Sequence, residues 1–517
     1  MSPLALISVS DKTNIINFSK VLVEKFGYKI ISSGGTAEHL LKANIPVIKV
    51  SEFTDSPEIL EGRVKTLHPK IHGGILAKRS SKLHLDEIES NNIELIDLVV
   101  VNLYPFEKKV SEKCSWEEGI ENIDIGGPSM IRSAAKNHKD VSVLVDPKHY
   151  EKFVTELSKG NLTNSYKTEL AFQAFEHTAS YDAAISQWIS KEKKIMKNTH
   201  IQTYPLLRSL RYGENPHQKA YWYGLNKFGW NSAKKLQGKE LSYNNLLDLE
   251  SALATVSEFN YDIGSLPSSK SHAVVILKHN NPCGAALAYS ASEAFRNALD
   301  CDSTSAFGGI VAFNIVVDAK TANLLSKIFI ECVVAPSFDQ EALNILENKK
   351  NLRLLELKKE FIENDEKSSI KSILGGILVQ DKDTKFDKSD QWSSVTKIKP
   401  SNEEFDDLRF AWKICKHVKS NAIVIAKNEK TIGIGAGQMN RVGAAKIALE
   451  AAQENSLGAV LASDGFFPFS DTVELAHKYG IKSIIQPGGS LRDEESINMC
   501  NKLGISMIFT NKRHFLH

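Results

Sequence analysis

The segment Lys278-His279-Asn280-Asn281-Pro282-Cys283-Gly284 carries the densest chemistry in the chain, directly after the apolar run Ala273-Val274-Val275-Ile276-Leu277. Such a run reads as a buried strand. Its far end presents an ammonium and an imidazole side by side, then a turn built from Asn, Pro and Gly. The imidazole can take a proton from an attacking amine while the ammonium stabilises the oxyanion that forms on a carbonyl. That combination suits acyl or formyl transfer. The plainer reading leaves Lys278 as a strand end and His279 bonded to the turn, and the dipeptide alone does not choose.

Anion-binding signals concentrate nearer the start. Ser8-Val9-Ser10-Asp11-Lys12-Thr13 follows one strand-like run, and Ser33-Gly34-Gly35-Thr36 follows the next. Glycines let backbone amides approach a phosphate, and a helix N-terminus adds partial positive charge. Ordinary connecting turns are the alternative. The loop from Arg63 to Gly74 gathers Arg63, Lys65 and Lys70 with His68 and His72. Asp124 precedes a Gly126-Gly127-Pro128 turn and a helix carrying Arg132, Lys136 and His138. Asp124 and Lys136 are expected to form an acid/base pair near the helix start; capping the helix is the other common use of such an Asp.

These groups need elements to hold them. Strand signals at 4–9, 28–31, 96–101 and 141–145 alternate with helical signals from Asp11 and over 37–42. That alternation predicts a parallel sheet covered by helices, with ligands at the carboxyl ends of the strands. From Tyr150 to Lys197 the pattern is helical, with Ala171, Phe172, Phe175, Ala179 and Ala183 as one apolar stripe. The basic stretch Lys191–Lys197 reads as a linker, giving domains 1–197 and 198–517. Further strands are expected at 274–277, 310–313, 373–379, 422–426, 460–463, 484–486 and 507–510, with a seam near 390–400. Residues 274–309 and 422–469 share one strand–turn–helix–strand order, which hints at duplication.

Composition removes several function classes. The 517 residues include 64 basic and 62 acidic side chains, so the net charge of +2 gives no global attraction to nucleic acid or membrane. Cys114, Cys283, Cys301, Cys332, Cys415 and Cys500 are scattered without a C-x-x-C pair, which argues against disulfides or clustered zinc. The start lacks a basic signal-peptide region, and no window reaches membrane-spanning length. A cytoplasmic protein is expected.

Taken in order, SVSDKT, SSGGTA, EGRVKTLHPKIHGGIL, NLYPF, IDIGGPSMIRSAAKNH, LRYGENPHQ, LSYNNLLD, KHNNPCGAA, SAFGGIVAFN, HVKSNAIV, GAGQMNRV, SDGFFPF, QPGGS and TNKRHF closely resemble one family. It is the bifunctional purine-biosynthesis family that joins AICAR formyltransferase to IMP cyclohydrolase, and the resemblance spans essentially the whole chain. It implies an α/β protein: an N-terminal methylglyoxal-synthase-like parallel-sheet domain, then two cytidine-deaminase-like α/β/α units. A zinc deaminase needs His/Cys ligands with a C-x-x-C pair, and none is present, so no catalytic metal is implied. A monovalent cation stays open.

The resemblance also implies roles. His279 assists proton transfer from the AICAR amine, Lys278 serves the oxyanion and leaving group, and Asn421 orients the formyl oxygen of 10-formyltetrahydrofolate. Arg211 and Tyr212 bind the nucleotide, while Phe307, Gly308, Glu331, Gln438, Arg441 and Phe466 surround the substrates. For dehydrative closure of FAICAR to IMP, Ser10, Lys12, Ser33, Gly34, Gly35, Arg63, Lys65 and Thr66 hold phosphate and ribose. Lys65, Tyr104, Asp124 and Lys136 surround the ring-closing atoms. A homodimer with formyltransferase sites at the subunit interface is implied. Departures are small: Glu331 stands where some members have Asp, and Met439-Asn440 where small polar residues are common. Two rival readings are a single-activity methylglyoxal-synthase-like lyase and a nucleotide- or phosphate-sensing binder with a degenerate deaminase-like region.

Overall fold

The computed structural model describes residues 2–225, 228–262, 270–362, 368–383 and 391–517, and the chain divides into two compact units, Met1–Thr203 and Tyr204–His517. In the first unit, β1 (Leu4–Val9), β2 (Lys29–Ser32), β3 (Val47–Lys49), β4 (Leu98–Asn102) and β5 (Ser142–Leu144) pair in the order β3-β2-β1-β4-β5. Every pairing is parallel. All of β4 is buried, as a parallel strand covered on both faces must be. The edge strand β3 escaped the sequence reading because three half-exposed residues show no period.

Two expectations for this unit change. The first helix runs Ile15–Phe26, not from Asp11, because the Asp11 carboxylate accepts the Thr13 N–H at 2.9 Å and holds a turn there. The long helix Asn164–Lys193 buries Leu170, Ala171, Ala174, Thr178 and Tyr181. The expected apolar stripe is split: Ala171 and Ala183 face the core, but Phe172 is 61% and Phe175 40% exposed. The helix packs on Gly126–Lys136, and the two phenylalanines border an open cleft beside that helix, with Arg132 over the Phe175 ring at 5.7 Å.

The second unit opens with the paired strands β6 (Leu206–Leu210) and β7 (Ala220–Tyr223). Then follow β8 (Lys234–Gln237), β9 (His272–Lys278), β10 (Asn281–Ala288), β11 (Ile310–Phe313), β12 (Cys332–Ala335) and β13 (Arg353–Glu356). The strands β14 (Ser368–Ile373) and β15 (Gly376–Asp381) pair with each other. The last are β16 (Ser393–Ser394), β17 (Ile423–Lys427), β18 (Lys430–Gly435), β19 (Val460–Ser463), β20 (Ser483–Gln486) and β21 (Ser506–Phe509). All but β6, β7, β14 and β15 form one 12-stranded mixed sheet, β16-β21-β20-β19-β17-β18-β10-β9-β11-β12-β13-β8.

Outward from the β10–β18 junction, both halves read alike. Each has a hairpin, an antiparallel neighbour, two parallel strands and an antiparallel edge. The hinted duplication is thus a property of the sheet. It extends to single hydrogen bonds. Ser242 and Ser401 cap the helices Tyr243–Ser257 and Asn402–Cys415, and six positions after each cap stands a buried or half-buried Asp. Asp248 accepts the Asn280 N–H at 2.7 Å; Asp407 accepts those of Asn428 and Glu429 at 2.9 and 2.5 Å. Burial pushes both carboxyls above the usual Asp range. These helices share one apolar layer on one sheet face, while each repeat keeps its own layer on the other.

The turn after Leu277 differs from expectation. Only His279-Asn280 turns, with φ of 52° and 60°, and Asn281-Pro282-Cys283-Gly284 is already strand β10. Two consecutive positive φ values suit a two-residue hairpin, which needs no Pro or Gly of its own when Asn supplies one position. Asn428-Glu429 repeats this with φ of 56° at both positions. Pro282 sits at a register shift, where a missing N–H is tolerated. Gly284 lets a helix approach: an added Cβ would lie 1.9 Å from the Ala298 carbonyl oxygen, and at Gly433 2.0 Å from that of Ala448. The single strand expected over 373–379 is instead the β14–β15 hairpin, turned at Leu374-Gly375. Residue 390 of the expected seam lies outside the described residues.

Glu258, after the first capped helix, meets the corresponding end of the second. Its carboxylate bonds Lys416 at 2.8 Å and His417 at 3.1 Å. Burial alone would raise the Glu258 carboxyl, but the His417 hydrogen bond and the charges of His417 and Lys416 hold it down at about 2. An acid held below its unfolded value, ~4.3 for Glu, adds stability above that value and loses it as pH falls toward the folded one. Denaturant unfolding of the second unit should therefore weaken between about pH 5 and 2. Glu258→Gln should flatten that dependence and cost about 3 kcal/mol at pH 7. An unchanged slope would remove the ion pair from this role.

Candidate active sites

In the first unit, the carboxyl ends of β1, β2 and β4 bring polar groups together. Asn102, the last residue of β4, accepts the Ser10 and Asp11 N–H groups at 2.7 and 2.8 Å and donates to the Asp11 carbonyl at 3.1 Å. Thr36 exchanges hydrogen bonds with the Val9 backbone at 3.1 and 3.0 Å. Ser33 is the buried N-cap of the helix Gly34–Lys42. A Cβ on Gly34 would lie 3.6 Å from Lys65 Nζ, and one on Gly126 would lie 2.6 Å from Thr66 Oγ1. Two helix N-termini, Lys65 and Thr66 therefore converge, a good setting for a phosphate.

Asp124 stands at this convergence. Its Oδ1 accepts the Gly127 N–H at 2.8 Å, and its own N–H bonds Tyr181 Oη at 2.7 Å. Burial pushes the carboxyl up, opposed by the Gly127 N–H and the Lys65 ammonium. Lys136, however, ends the helix that Asp124 begins. Twelve residues at ~1.5 Å each separate them by about 18 Å, so they are not a proton-sharing pair within one chain. Lys136 lies instead in a cleft of about 730 Å³ with Arg132, His138, Phe172 and Phe175.

The rest of the Arg63–Gly74 segment has structural duties, and from Pro69 onward it is not the expected loop but the helix Pro69–Leu76. Arg63 pairs with Glu121, Lys70 with Asp55 at 2.5 Å, and His68 Nδ1 accepts the Lys70 N–H at 3.1 Å to cap the next helix. Burial lowers the His72 imidazole, whose Nδ1 lies 3.0 Å from Ser133 Oγ. Lys12 and Tyr104 are exposed beside the cluster's strands, and Gly35 follows Gly34 in the first turn of its helix.

In the second unit, the turn of the first repeat's hairpin meets the open end of the second repeat's hairpin. Lys278 Nζ donates to the Phe307 carbonyl, and His279 sits in the turn that Asp248 anchors. Gly308, at φ 71°, donates its N–H to the Phe329 carbonyl at 2.7 Å; a Cβ there would lie 3.6 Å from Lys278 Nζ. Asn281 Oδ1 accepts the Lys419 N–H at 3.0 Å, tying this turn to the Lys419-Ser420-Asn421 loop of the second repeat. Asn421 Nδ2 donates to the Gln438 carbonyl at 2.7 Å, and Arg441 donates to Asn421 Oδ1 at 2.7 Å. Phe466 follows two residues after buried Asp464, which Arg441 also contacts.

Glu331 Oε2 accepts from Asn245 Nδ2 at 2.8 Å, with Arg353 3.9 Å away. Asn244 Nδ2 bonds the Glu214 carbonyl at 3.3 Å, joining the Arg211-Tyr212 loop to the start of the same helix. Arg211 lies over the Tyr212 ring at 5.3 Å. Burial raises the Cys283 and Cys301 thiols to about 12 and about 11, so neither is a ready nucleophile. Thr36 and Asn281 lay inside quoted clusters without a role of their own, and Asn102, Tyr181, Asp248 and Asp464 were not singled out; Asn102 opens NLYPF and Asp464 sits in SDGFFPF, but nothing local marked either as a holder of other groups. Among the described residues no group of three or more His, Cys, Asp or Glu could hold a metal ion, and no helix is long and apolar enough to cross a membrane.

Fold and clusters together describe an α/β protein with two candidate sites, one at the strand ends of a parallel sheet and one where the duplicated repeats join. The sequence pattern of the MGS-like domain matches residues 14–129, and that of the AICARFT/IMPCHase bienzyme matches residues 134–451. The chain is 69% identical to the bifunctional purine biosynthesis protein PurH of Prochlorococcus marinus strain MIT 9515, and 68% to that of strain CCMP1986. Both alignments cover all of each chain. A crystal structure of ForH covers 37% of this chain and all of its own, at 33% identity and a TM-score of 0.32. The chain belongs to the AICARFT/IMPCHase bienzyme family, and it is a bifunctional purine-biosynthesis enzyme, a formyltransferase and a cyclohydrolase. The lyase and binding-module readings are set aside.

Asn102→Ala should remove three hydrogen bonds that shape the Ser10–Asp11 loop, worth ~1–3 kcal/mol together. A cyclohydrolase KM raised about tenfold, with formyl transfer unchanged, would assign this loop to the cyclohydrolase site. Equal losses in both activities would point to a general folding defect.

Proposed function

We propose that the second unit transfers the formyl group of 10-formyltetrahydrofolate to the 5-amino group of AICAR, and that the first closes the product FAICAR to IMP. The observation that carries this is the Asn281–Lys419 hydrogen bond, which joins the Lys278-His279 turn to the Asn421–Arg441 cluster. The AICAR amine is a poor nucleophile because the carboxamide withdraws its electrons. In this reading His279 takes the amine proton as nitrogen attacks the formyl carbon. Lys278 and Asn421 stabilise the tetrahedral oxyanion, and the proton passes to the folate nitrogen as its bond to the formyl carbon breaks. Losing one such oxyanion contact typically costs ~10²–10³ in rate. Arg211 and Tyr212 hold the nucleotide, while Phe307, Gly308, Glu331, Gln438 and Phe466 border the substrates.

In the first unit, Ser10, Lys12, Ser33, Gly34, Gly35, Arg63 and Thr66 hold phosphate and ribose. Arg63 would leave Glu121 to do so. Lys65, Tyr104 and Asp124 face the ring-closing atoms, where the carboxamide nitrogen attacks the formyl carbon and water leaves. Because the reaction is intramolecular, orientation supplies much of the rate.

The active protein is proposed to be a cytoplasmic homodimer with formyltransferase sites at the subunit interface. Six free cysteines suit a reducing compartment. On the β14–β15 hairpin, Ile370, Ile373, Leu374, Ile377, Leu378 and Val379 are all at least 40% exposed, an apolar surface of the kind a partner subunit covers. Dimerisation also gives Lys136 a route to the chemistry: it reaches the Asp124 site of the other copy.

The test is product analysis with AICAR and 10-formyltetrahydrofolate. Wild type should give IMP, Lys278→Ala nothing, and Lys65→Ala accumulated FAICAR; wild type that binds AICAR without turnover would sink the assignment. Mixing unfolded Lys65→Ala and Lys136→Ala chains and refolding them together should restore cyclisation at about one site in four, because half the dimers are hybrids with one intact site. No recovery would keep Lys136 in its own chain or outside the chemistry.

A further inference from the structure

Asp464 is wholly buried, and its two carboxylate oxygens have separate tasks. Oδ1 pairs with Arg441 Nη1, while Oδ2 accepts from Ser420 Oγ at 2.5 Å. Arg441 Nη1 also donates to Ser463 Oγ at 2.8 Å, and that hydroxyl donates to the Gly465 carbonyl at 2.8 Å. Gly465 leaves room for the guanidinium, since a Cβ there would lie 2.5 Å from Arg441 Nη2. Nη1 is thus held by two partners, and the other terminal nitrogen, Nη2, donates to Asn421 Oδ1.

That last bond settles which way the Asn421 amide points. A guanidinium has only donors, so it accepts only the carbonyl side of an amide. With Oδ1 on Arg441, both amide hydrogens lie on the other side, where one donates to the Gln438 carbonyl. The second is left for a ligand. The sequence pattern shows Asn421 but gives no hint that a carboxylate forty-three positions later orients it.

We propose that Asp464 is a positioning residue for formyl transfer: through Arg441 it holds the Asn421 amide with its N–H toward the formyl oxygen. This rests on the role assigned to Asn421 above. Asp464 touches no substrate; it acts by denying Arg441 any other orientation. Neutralising it frees the guanidinium to rotate, and the amide can then flip and present its oxygen, which repels the developing oxyanion.

The test is a double-mutant cycle on the full chain, measuring steady-state formyl transfer to AICAR, with cyclohydrolase turnover of FAICAR by the same preparations as a control. Asn421→Ala should lower the formyl-transfer kcat ~10²–10³-fold, as loss of an oxyanion donor does. Asp464→Asn should lower it at least tenfold, with cyclohydrolase turnover within about twofold of wild type. On the Asn421→Ala background, Asp464→Asn should cost less than about twofold more, because the two act as one unit. A merely structural Asp464 would give losses that multiply in full, and that result, or a wild-type kcat for Asp464→Asn, overturns the proposal. A wild-type kcat for Asn421→Ala would overturn the role of Asn421 itself, and the proposal with it. Should Asp464→Asn fail to fold, Ser420→Ala, which removes the hydroxyl on Oδ2 but keeps the ion pair, enters the same cycle. It should then lower kcat several-fold on wild type and not on Asn421→Ala; losses that multiply, or no loss, overturn the proposal.

Discussion

The pairing of β10 with β18, Ala286 opposite Lys430, is the constraint on which the second unit depends. Backbone hydrogen bonds there fuse two six-stranded repeats into one sheet, and Thr431 reinforces the seam by bonding both the N–H and the carbonyl of Ala285, at 2.9 and 3.2 Å. Because the junction is antiparallel, the repeats are related by a pseudo-two-fold axis. The His279-Asn280 turn of one hairpin therefore lies beside the open end of the other, where Asn281 Oδ1 accepts the Lys419 N–H, while the Asn428-Glu429 turn lies at the far end of the seam. Lys278 and His279 from one repeat and Asn421 and Arg441 from the other become neighbours only through that geometry. A parallel or shifted pairing would keep every strand and lose the site.

The helices answer to the same constraint. At Gly284, Gly433 and Gly435 a side chain would meet a helix carbonyl oxygen at about 2 Å, so these helices rest directly on the sheet backbone. The Glu258–Lys416–His417 cluster then ties the ends of the two capped helices on the opposite face. Apolar burial supplies most of the favourable energy. The ionic and glycine contacts fix how the repeats are aligned, to the tolerance that a hydrogen-bonded active site demands.

How much of this was legible in the sequence follows from what each feature depends on. The parallel strands of the first unit were visible because burial on both faces leaves unbroken apolar runs, such as Leu98–Val101. The duplicated order of elements was hinted at for the same reason. The position of the turn after Leu277 was not, because Asn-Pro-Cys-Gly has the composition of a turn while the hairpin needed only two positive-φ residues. Phe172 and Phe175 share a helical period with a core stripe, but their environment is set by the neighbouring helix. Asp124 and Lys136 are apart within one chain for a simpler reason: proximity in a motif is not proximity in space when a whole helix lies between. Lys278 and Lys65 stood out by residue type and Asn421 through the family resemblance; Asn102, Asp248 and Asp464, which hold Ser10 and Asp11, Asn280, and Arg441 and Ser420, act over long sequence separations and leave no local trace.

The matching hairpin turns bear on how such a protein could arise. His279-Asn280 and Asn428-Glu429 have the same backbone shape, and an Asp at the same place on a capped helix grips each. Only one of them carries an imidazole. One corner must close its backbone and place that side chain, the other need only close its backbone, so a duplicated corner can change its side chains without losing its shape. The second corner shows what the fold alone requires at such a turn.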